Sequence, residues 1–229
     1  MKRESEYGQF CPIAMTAQIL TAKWMPLVVR ELLCGSQRFS QLQKGLPLMS
    51  PSLLSTRLTE LEGSGLVVKN PAPSGKGYEY VLTEAGQELR PIITMYGFWA
   101  EKWLKKEYTE EELDPSLLMW DIRRNVDGTV FPDDRRAVVQ FELSGIKKGQ
   151  RLWWLLFERG DVDLCLRDPG HDIDLIVSSH IRALTEVWMG RKPLTEALNS
   201  ETIKLEGKRQ DTRDFAKWFS LNFFAHNTA

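Results

Sequence analysis

Cysteine is too scarce in this chain to build with: Cys11, Cys34 and Cys165 are scattered, and no CxxC pair occurs. That excludes a disulfide framework and a cysteine-based zinc site. Cys34 closes an apolar helical run and Cys165 sits in an alternating strand, so both read as core residues. Long apolar runs are also missing. None approaches the roughly 20 residues of a membrane span, and the opening Met1-Lys2-Arg3-Glu4 lacks the apolar centre of a signal peptide. A cytoplasmic location without a membrane partner is expected. Walker loops, GxGxxG, HExxH and GxSxG are absent as well. The three histidines, His171, His180 and His226, stand apart. His180 has Asp172 and Asp174 nearby in sequence but reads as a surface residue, and Asp161 and Asp163 flank a strand and read as solvent-facing. No nucleophile and base come together, so no enzymatic activity, metal or cofactor is expected.

What is present is an ordinary globular composition, 42% hydrophobic and 27% charged, in 229 residues, which exceeds the usual single domain. The formal net charge of −1 hides a difference between the halves. Residues 1–106 carry 13 Lys+Arg against 9 Asp+Glu, or +4, and residues 107–229 carry 17 against 22, or −5. The expected fold class is α+β in two domains: residues 1–107, a linker helix over 108–126, and residues 127–229.

The stretch 39–80 organises the first half. Spacing predicts helices over 13–20, 25–33, 39–46 and 50–62, a strand over 66–69 and a glycine-tipped hairpin returning through Tyr78 to Leu82, the order of a winged helix-turn-helix. In the helix over 50–62, Leu54, Leu58 and Leu61 recur at i, i+4 and i+7 and face inward. Ser52, Ser55, Thr56 and Thr59 lie on the opposite face, smooth enough for a DNA major groove. Ser50 is the expected N-cap with Pro51 at N1, and the free N–H groups there make an anion site. Arg38, Gln41 and Lys44 fall outside, where a phosphate backbone would run, and Lys76 sits at the hairpin tip. From 83 to 105 a long helix is expected, capped by Thr83 and kinked at Pro91. Its aromatic stripe is wider than a small winged helix buries alone. A dimer interface accounts for it, and two-fold symmetry would set two reading helices about 34–36 Å apart. Packing against the chain's own second half is the competing use.

These residues resemble a known family. Cys11-Pro12-Ile13, Lys23-Trp24, Arg30-Glu31-Leu32-Leu33, Arg38-Phe39 with Leu42, Ser50-Pro51, Leu54-Ser55 with Arg57-Leu58, Glu60-Leu61, Gly65-Leu66-Val67, and Tyr80 with Leu82-Thr83-Glu84-Ala85-Gly86 look like the HxlR-type winged-helix transcriptional regulators over roughly residues 7–105. The resemblance implies a homodimer on double-stranded DNA. The residues expected against DNA are Arg38, Gln41, Lys44, Ser50, Ser52, Ser55, Thr56, Arg57, Thr59, Lys76 and Tyr78; those expected in the dimer are Ile92, Tyr96, Trp99 and Trp103. Ser52 and Thr56 depart from the longer polar or basic side chains that many members carry. Some members also have a cysteine before the proline of the first helix, which makes Cys11 a candidate redox sensor, against the alternative of a packing cysteine.

The second half changes period. A helix is expected over 116–126, then successive antiparallel strands at 139–143, 152–157, 161–166 and 173–177, helices over 179–189 and 194–200, a strand over 203–206 and a last helix over 211–223. Asp161-Val162-Asp163-Leu164, Asp174-Leu175, Trp188-Met189-Gly190, Leu194-Thr195-Glu196-Ala197-Leu198 and Ile203-Lys204-Leu205-Glu206-Gly207 resemble the sterol-carrier-protein-2 (SCP2-like) fold over roughly 127–226. That implies a pocket for an apolar small-molecule effector. Trp153, Trp154, Phe157, Trp188, Phe215, Trp218 and Phe219 are the candidate lining, since aromatic walls are what small-molecule sites use; a plain compact core is the alternative. Two functions follow: a ligand-responsive, DNA-binding transcriptional regulator, or a lipid-binding or transfer protein whose winged helix only dimerises or contacts other proteins.

Overall fold

The computed structural model describes residues 7–104, 107–132, 134–147 and 149–225. His226 and Lys105 lie outside them. The chain divides into two compact units, Met1–Trp99 and Ala100–Ala229.

The first unit runs α1 (Pro12–Leu20), α2 (Met25–Leu33), α3 (Phe39–Gly45), α4 (Pro51–Gly63), β1 (Val67–Pro71), β2 (Tyr78–Leu82) and α5 (Glu84–Gln87), followed by α6 (Arg90–Trp103), whose last turn falls in the second unit. Leu20, Met25, Val28, Leu42, Leu54, Leu58 and Leu61 form one core, so the periodicity of α4 does face inward. Trp24 turns the chain into α2 with φ +76°, a left-handed conformation uncommon for an aromatic residue. Gly65 (φ +72°) ends α4, and the Leu66 N–H donates to the Leu61 carbonyl at 3.0 Å, freeing the chain to enter β1. β1 and β2 pair antiparallel, Val67 opposite Leu82 and Pro71 opposite Tyr78.

The single kinked helix expected over 83–105 is two helices. Pro91 lacks the N–H that would donate to Gln87, so α5 stops there and α6 starts afresh at Arg90. Cys34, expected in the core, is exposed at the C-cap of α2.

The second unit runs α7 (Pro115–Asn125), a short 3-10 turn, β3 (Ala137–Ser144), β4 (Leu152–Glu158), β5 (Asp161–Cys165), β6 (Leu175–His180), α8 (Ile181–Trp188), α9 (Leu194–Asn199), β7 (Ile203–Gly207) and α10 (Arg209–Trp218). Its sheet has the order β5-β4-β3-β6-β7. The all-antiparallel sheet expected from sequence is corrected to a mixed one, because β3 and β6 pair parallel, Val139 opposite Leu175. Alternation records which face is buried, not which neighbour a strand takes. Through β4 and β3, Cys165 at the end of β5 stands level with Gln140, and β6 begins level with Val139, so residues 166–174 need only pass sideways across the sheet.

One sheet face carries Val139, Phe141, Trp153, Leu155 and Phe157, and α7, α8 and α10 pack on it through Met119, Ile122, Leu184, Phe215 and Trp218. The helix in the segment read as a linker thus contributes to this core. α10 ends at Trp218 rather than running to residue 223; Phe219 is extended, and the tail folds back so that the Asn222 N–H donates to the Trp188 carbonyl at 2.8 Å. Asp174 lies at the opposite end of β6 from His180, bound to the Val138 N–H and Arg135. Among the described residues no helix is long and apolar enough to cross a membrane.

Candidate nucleic-acid interface

The helix-turn-helix is fastened from within. The Gln43 amide donates to the Leu46 and Met49 carbonyls at 3.1 and 2.7 Å and fixes the turn between α3 and α4. At the C-terminus of α3, the fully buried Glu31 carboxylate receives Arg30 at 2.7 Å and Ser36 at 3.4 Å, and Arg30 also donates to the Gly45 carbonyl at 3.2 Å. A buried charge survives only when paired and hydrogen-bonded. Glu31 therefore ties α2 to α3, a role that sequence reading missed: Arg30-Glu31 enters there only as part of the family resemblance, and only the packing of Gly45 against Glu31 discloses the burial.

α4 begins as expected. The Ser50 hydroxyl accepts from the Leu53 N–H at 3.3 Å, with Pro51 at N1. Ser52, Ser55, Thr56 and Thr59 are all exposed and share the face opposite Leu54, Leu58 and Leu61. Thr56 and Thr59 return their hydroxyl protons to the carbonyls of Ser52 and Ser55, at 3.0 and 3.1 Å, which leaves methyl groups and oxygen lone pairs to present outward.

The other expected contacts divide. Lys44 is exposed on α3 and Lys76 on the hairpin tip. Arg38 is exposed and bonded to Glu79 at 3.4 Å, and a bridge between the same two residues, with the Tyr80 N–H donating to the Gln37 carbonyl at 2.8 Å, joins the start of α3 to the wing. Gln41 is occupied: its side-chain oxygen accepts from the Gln37 and Arg38 N–H groups, both at 3.0 Å, closing the N-terminus of α3. Arg57 leaves the set. Its guanidinium donates to the Lys23 carbonyl at 3.0 Å and to Glu60 at 2.7 Å, with the side chain only 16% exposed. Position 57 flanks the buried Leu54–Leu58–Leu61 stripe, so its side chain runs back toward the α1–α2 joint instead of outward. Tyr78 is exposed on β2, and the Lys69 ammonium sits 4.2 Å from its ring centroid. Lys69, not among the expected contacts, thereby adds a cation to the wing next to Tyr78.

Ile92, Tyr96, Trp99 and Trp103 recur along one face of α6, which buries none of its residues; Trp99 is 56% and Trp103 64% exposed. Cys11, at the N-cap of α1, is half-buried. The aromatic residues expected to line a ligand pocket are core. Trp153, Phe157, Phe215, Trp218 and Phe219 are buried; the ring centroids of Phe157, Phe215 and Phe219 lie 5.2, 4.9 and 6.3 Å from that of Trp218, and Phe215 and Phe219 are 5.0 Å apart. Trp154 is buried on the opposite sheet face, where its indole donates to Gln140 at 2.9 Å. Trp218 meets the three phenylalanines edge-to-face while Phe215 and Phe219 stack, and rings packed on each other in this way fill space that a tunnel would need. Of the seven, Trp188 also borders a cleft within the second unit.

Residues 19–108 match the family described as HxlR-like helix-turn-helix. The chain is 38% identical over 113 residues to the HTH-type transcriptional regulator YvaP of Bacillus subtilis, covering 48% of this chain and 96% of YvaP. It is 36% identical over 106 residues to the HTH-type transcriptional regulator sll1512 of Synechocystis, covering 46% of this chain and 78% of that protein. The reduced form of the transcriptional regulator YodB from B. subtilis aligns at 27% identity over 44% of this chain and all of its own, with a TM-score of 0.38, too low to add to the argument. With its helix-turn-helix in place and nearly the whole of YvaP matched, this chain belongs to the HxlR-like helix-turn-helix family.

Proposed function

We propose that this HxlR-family DNA-binding transcriptional regulator works as a homodimer that reads the major groove with α4 and answers to a small molecule through its second half. Residues 1–107 are the reading part and residues 127–229, SCP2-like in this proposal, the sensing part. One observation carries the reading role: the exposed Ser52–Ser55–Thr56–Thr59 face on a helix that is capped, buried behind and followed by a wing with Lys69, Lys76 and Tyr78. Small side chains let the helix backbone approach base edges closely; the Thr56 and Thr59 hydroxyl oxygens can accept from them, and the serine hydroxyls can accept or donate. The lysines and the N-terminus of α4 supply phosphate contacts that set register without reading sequence. The uncovered stripe on α6 supports pairing of two copies, since few base contacts per copy make a single copy a weak reader.

Duplex titration tests this. A duplex from the gene's own upstream region should bind far tighter than random DNA at physiological salt, with an affinity that falls as salt rises. Ser55→Glu with Thr56→Glu should abolish that preference while leaving the dimer intact. Equal affinity for both duplexes would leave the lipid-binding alternative, in which the winged helix serves only contact between proteins.

A further inference from the structure

The sheet of the second unit ends on two edges of different kind. At one, α7 lies beside β5, and the Arg123 guanidinium donates to the Val162 carbonyl at 2.7 Å, so an outward main-chain oxygen is already taken. At the other, β7 is the last strand, and its five residues pair with β6, Leu205 opposite Val177. Every other residue of a strand turns its N–H and C=O to the same side, so part of the β7 main chain points away from β6. Among the described residues no hydrogen bond closes that side. Lys204, Glu206 and Gly207 are exposed.

An open edge is a template for another strand, and folded proteins blunt it with charge, a helix or a loop. The charges on β7 complement themselves instead. Successive residues alternate between faces, which puts Lys204 and Glu206 on one face and Leu205, between them, on the other. A second β7 laid antiparallel, with the two Leu205 residues opposite each other, brings Lys204 of each copy against Glu206 of the other. Opposite charges facing across paired strands stabilise them, and like charges do the reverse. Sliding the copies by two residues, the smallest step that keeps the same face, sets Lys204 against Lys204 in one direction and Glu206 against Glu206 in the other. Lys204 also lies 3.5 Å from Glu201, but both side chains are more than half exposed, and an ion pair in water holds little. Glu206 has no ion pair among the described residues.

We propose that β7 is a contact between two copies of this chain, in which the two edges pair antiparallel about Leu205 and join their five-stranded sheets into one. The two-fold symmetry of such a contact makes each residue serve twice, once on either side of the axis. Five residues make a short contact beside the roughly 1,200–2,000 Å² of a specific interface, so β7 adds to the pairing of copies proposed for α6 and does not replace it. The inference rests on that homodimer reading and is independent of DNA binding.

The test is co-expression of two full-length chains, one with Lys204→Cys and the other with Glu206→Cys, followed by mild oxidation and mass spectrometry of the disulfide-linked peptides. Facing residues of paired antiparallel strands have Cα atoms about 4.5–5.5 Å apart, within reach of a disulfide. The link between positions 204 and 206 should form at least about tenfold more than a link of either position to itself, for which the Cα atoms would stand about 8–9 Å apart, beyond the roughly 7 Å limit. Charge reversal gives a second readout. Lys204→Glu and Glu206→Lys each set like charges against one another at both facing pairs, so exchange protection of the outward amides of β7 should drop at least about tenfold in either chain and return when the two are co-expressed. Links without preference for 204 with 206, or a co-expressed pair no better protected than the single chains, overturn the proposal. Protection untouched by either charge reversal assigns the edge to a different cover and overturns it too. Sedimentation velocity on the same samples separates the two readings: a dimer without the link overturns the strand contact alone, whereas a monomer is the failure of the homodimer reading and of the contact with it.

Discussion

Replacing Gly45 by alanine probes the joint on which the reading helix rests. Gly45 closes α3, and a β-carbon there would lie 1.9 Å from Oε2 and 2.2 Å from Cδ of Glu31, far inside van der Waals contact. The carboxylate cannot step aside freely, since Arg30 holds Oε1 through Nη2 at 2.7 Å and Nε at 3.1 Å, and Ser36 reaches Oε2 at 3.4 Å. A methyl group at position 45 must therefore push Glu31 off its partners. Stripping a buried charge of its partner costs about 3–5 kcal/mol. Alanine recovers at most about 1 kcal/mol of helix propensity over glycine, which leaves a net loss of about 2–4 kcal/mol. Native-state hydrogen exchange resolves the effect by region: opening free energies of amides in α2, α3 and α4 should fall by that amount while those of β3 and β4 stay put. In a Glu31→Ala background the methyl group has room, so the additional cost should drop below about 1 kcal/mol and the two substitutions should couple strongly. A Gly45→Ala change of less than about 0.5 kcal/mol, or simple additivity with Glu31→Ala, would refute the reasoning, because both need a carboxylate free to move.

Ser50→Ala removes the hydroxyl that accepts from Leu53 and should cost about 1 kcal/mol in exchange protection at the start of α4. Tyr96→Glu with Trp99→Glu puts two charges on the uncovered face of α6 and should yield monomers by sedimentation velocity; an unaltered dimer removes that face from the interface. Lys217 and Gln210 hydrogen-bond the Asp214 carboxylate at 2.6 and 2.9 Å and hold its pKa below the ordinary carboxylate value. A depressed folded pKa means that this stabilisation is present above the unfolded value of about 3.9 and is lost as pH falls through the folded one. The thermal stability difference between the wild type and Asp214→Asn should accordingly be largest near pH 7 and shrink as pH approaches 3; a constant difference would show that the ionised form is not what stabilises.

The sequence alone determined the elements whose cause is local. The leucine stripe of α4 was legible because an inward face repeats at helical spacing, and Ser50-Pro51 and Gly65 marked its ends because capping and left-handed turns are chemistry of a few adjacent residues. The opposed serine and threonine face followed from the same periodicity. The tertiary structure decided what depends on residues distant in the chain. Arg57 belongs to the inner scaffold because the Lys23 carbonyl and Glu60 wait for it, and Gln41 is spent on closing α3. Glu31 became a buried tie only when α3 closed over it. The parallel pairing of β6 with β3 could not be read from alternation, which is identical for either direction. For the aromatic residues of the second half, the sequence left a pocket lining and a compact core open, since composition counts rings without saying whether they face a ligand or one another; in the fold they pack on one another.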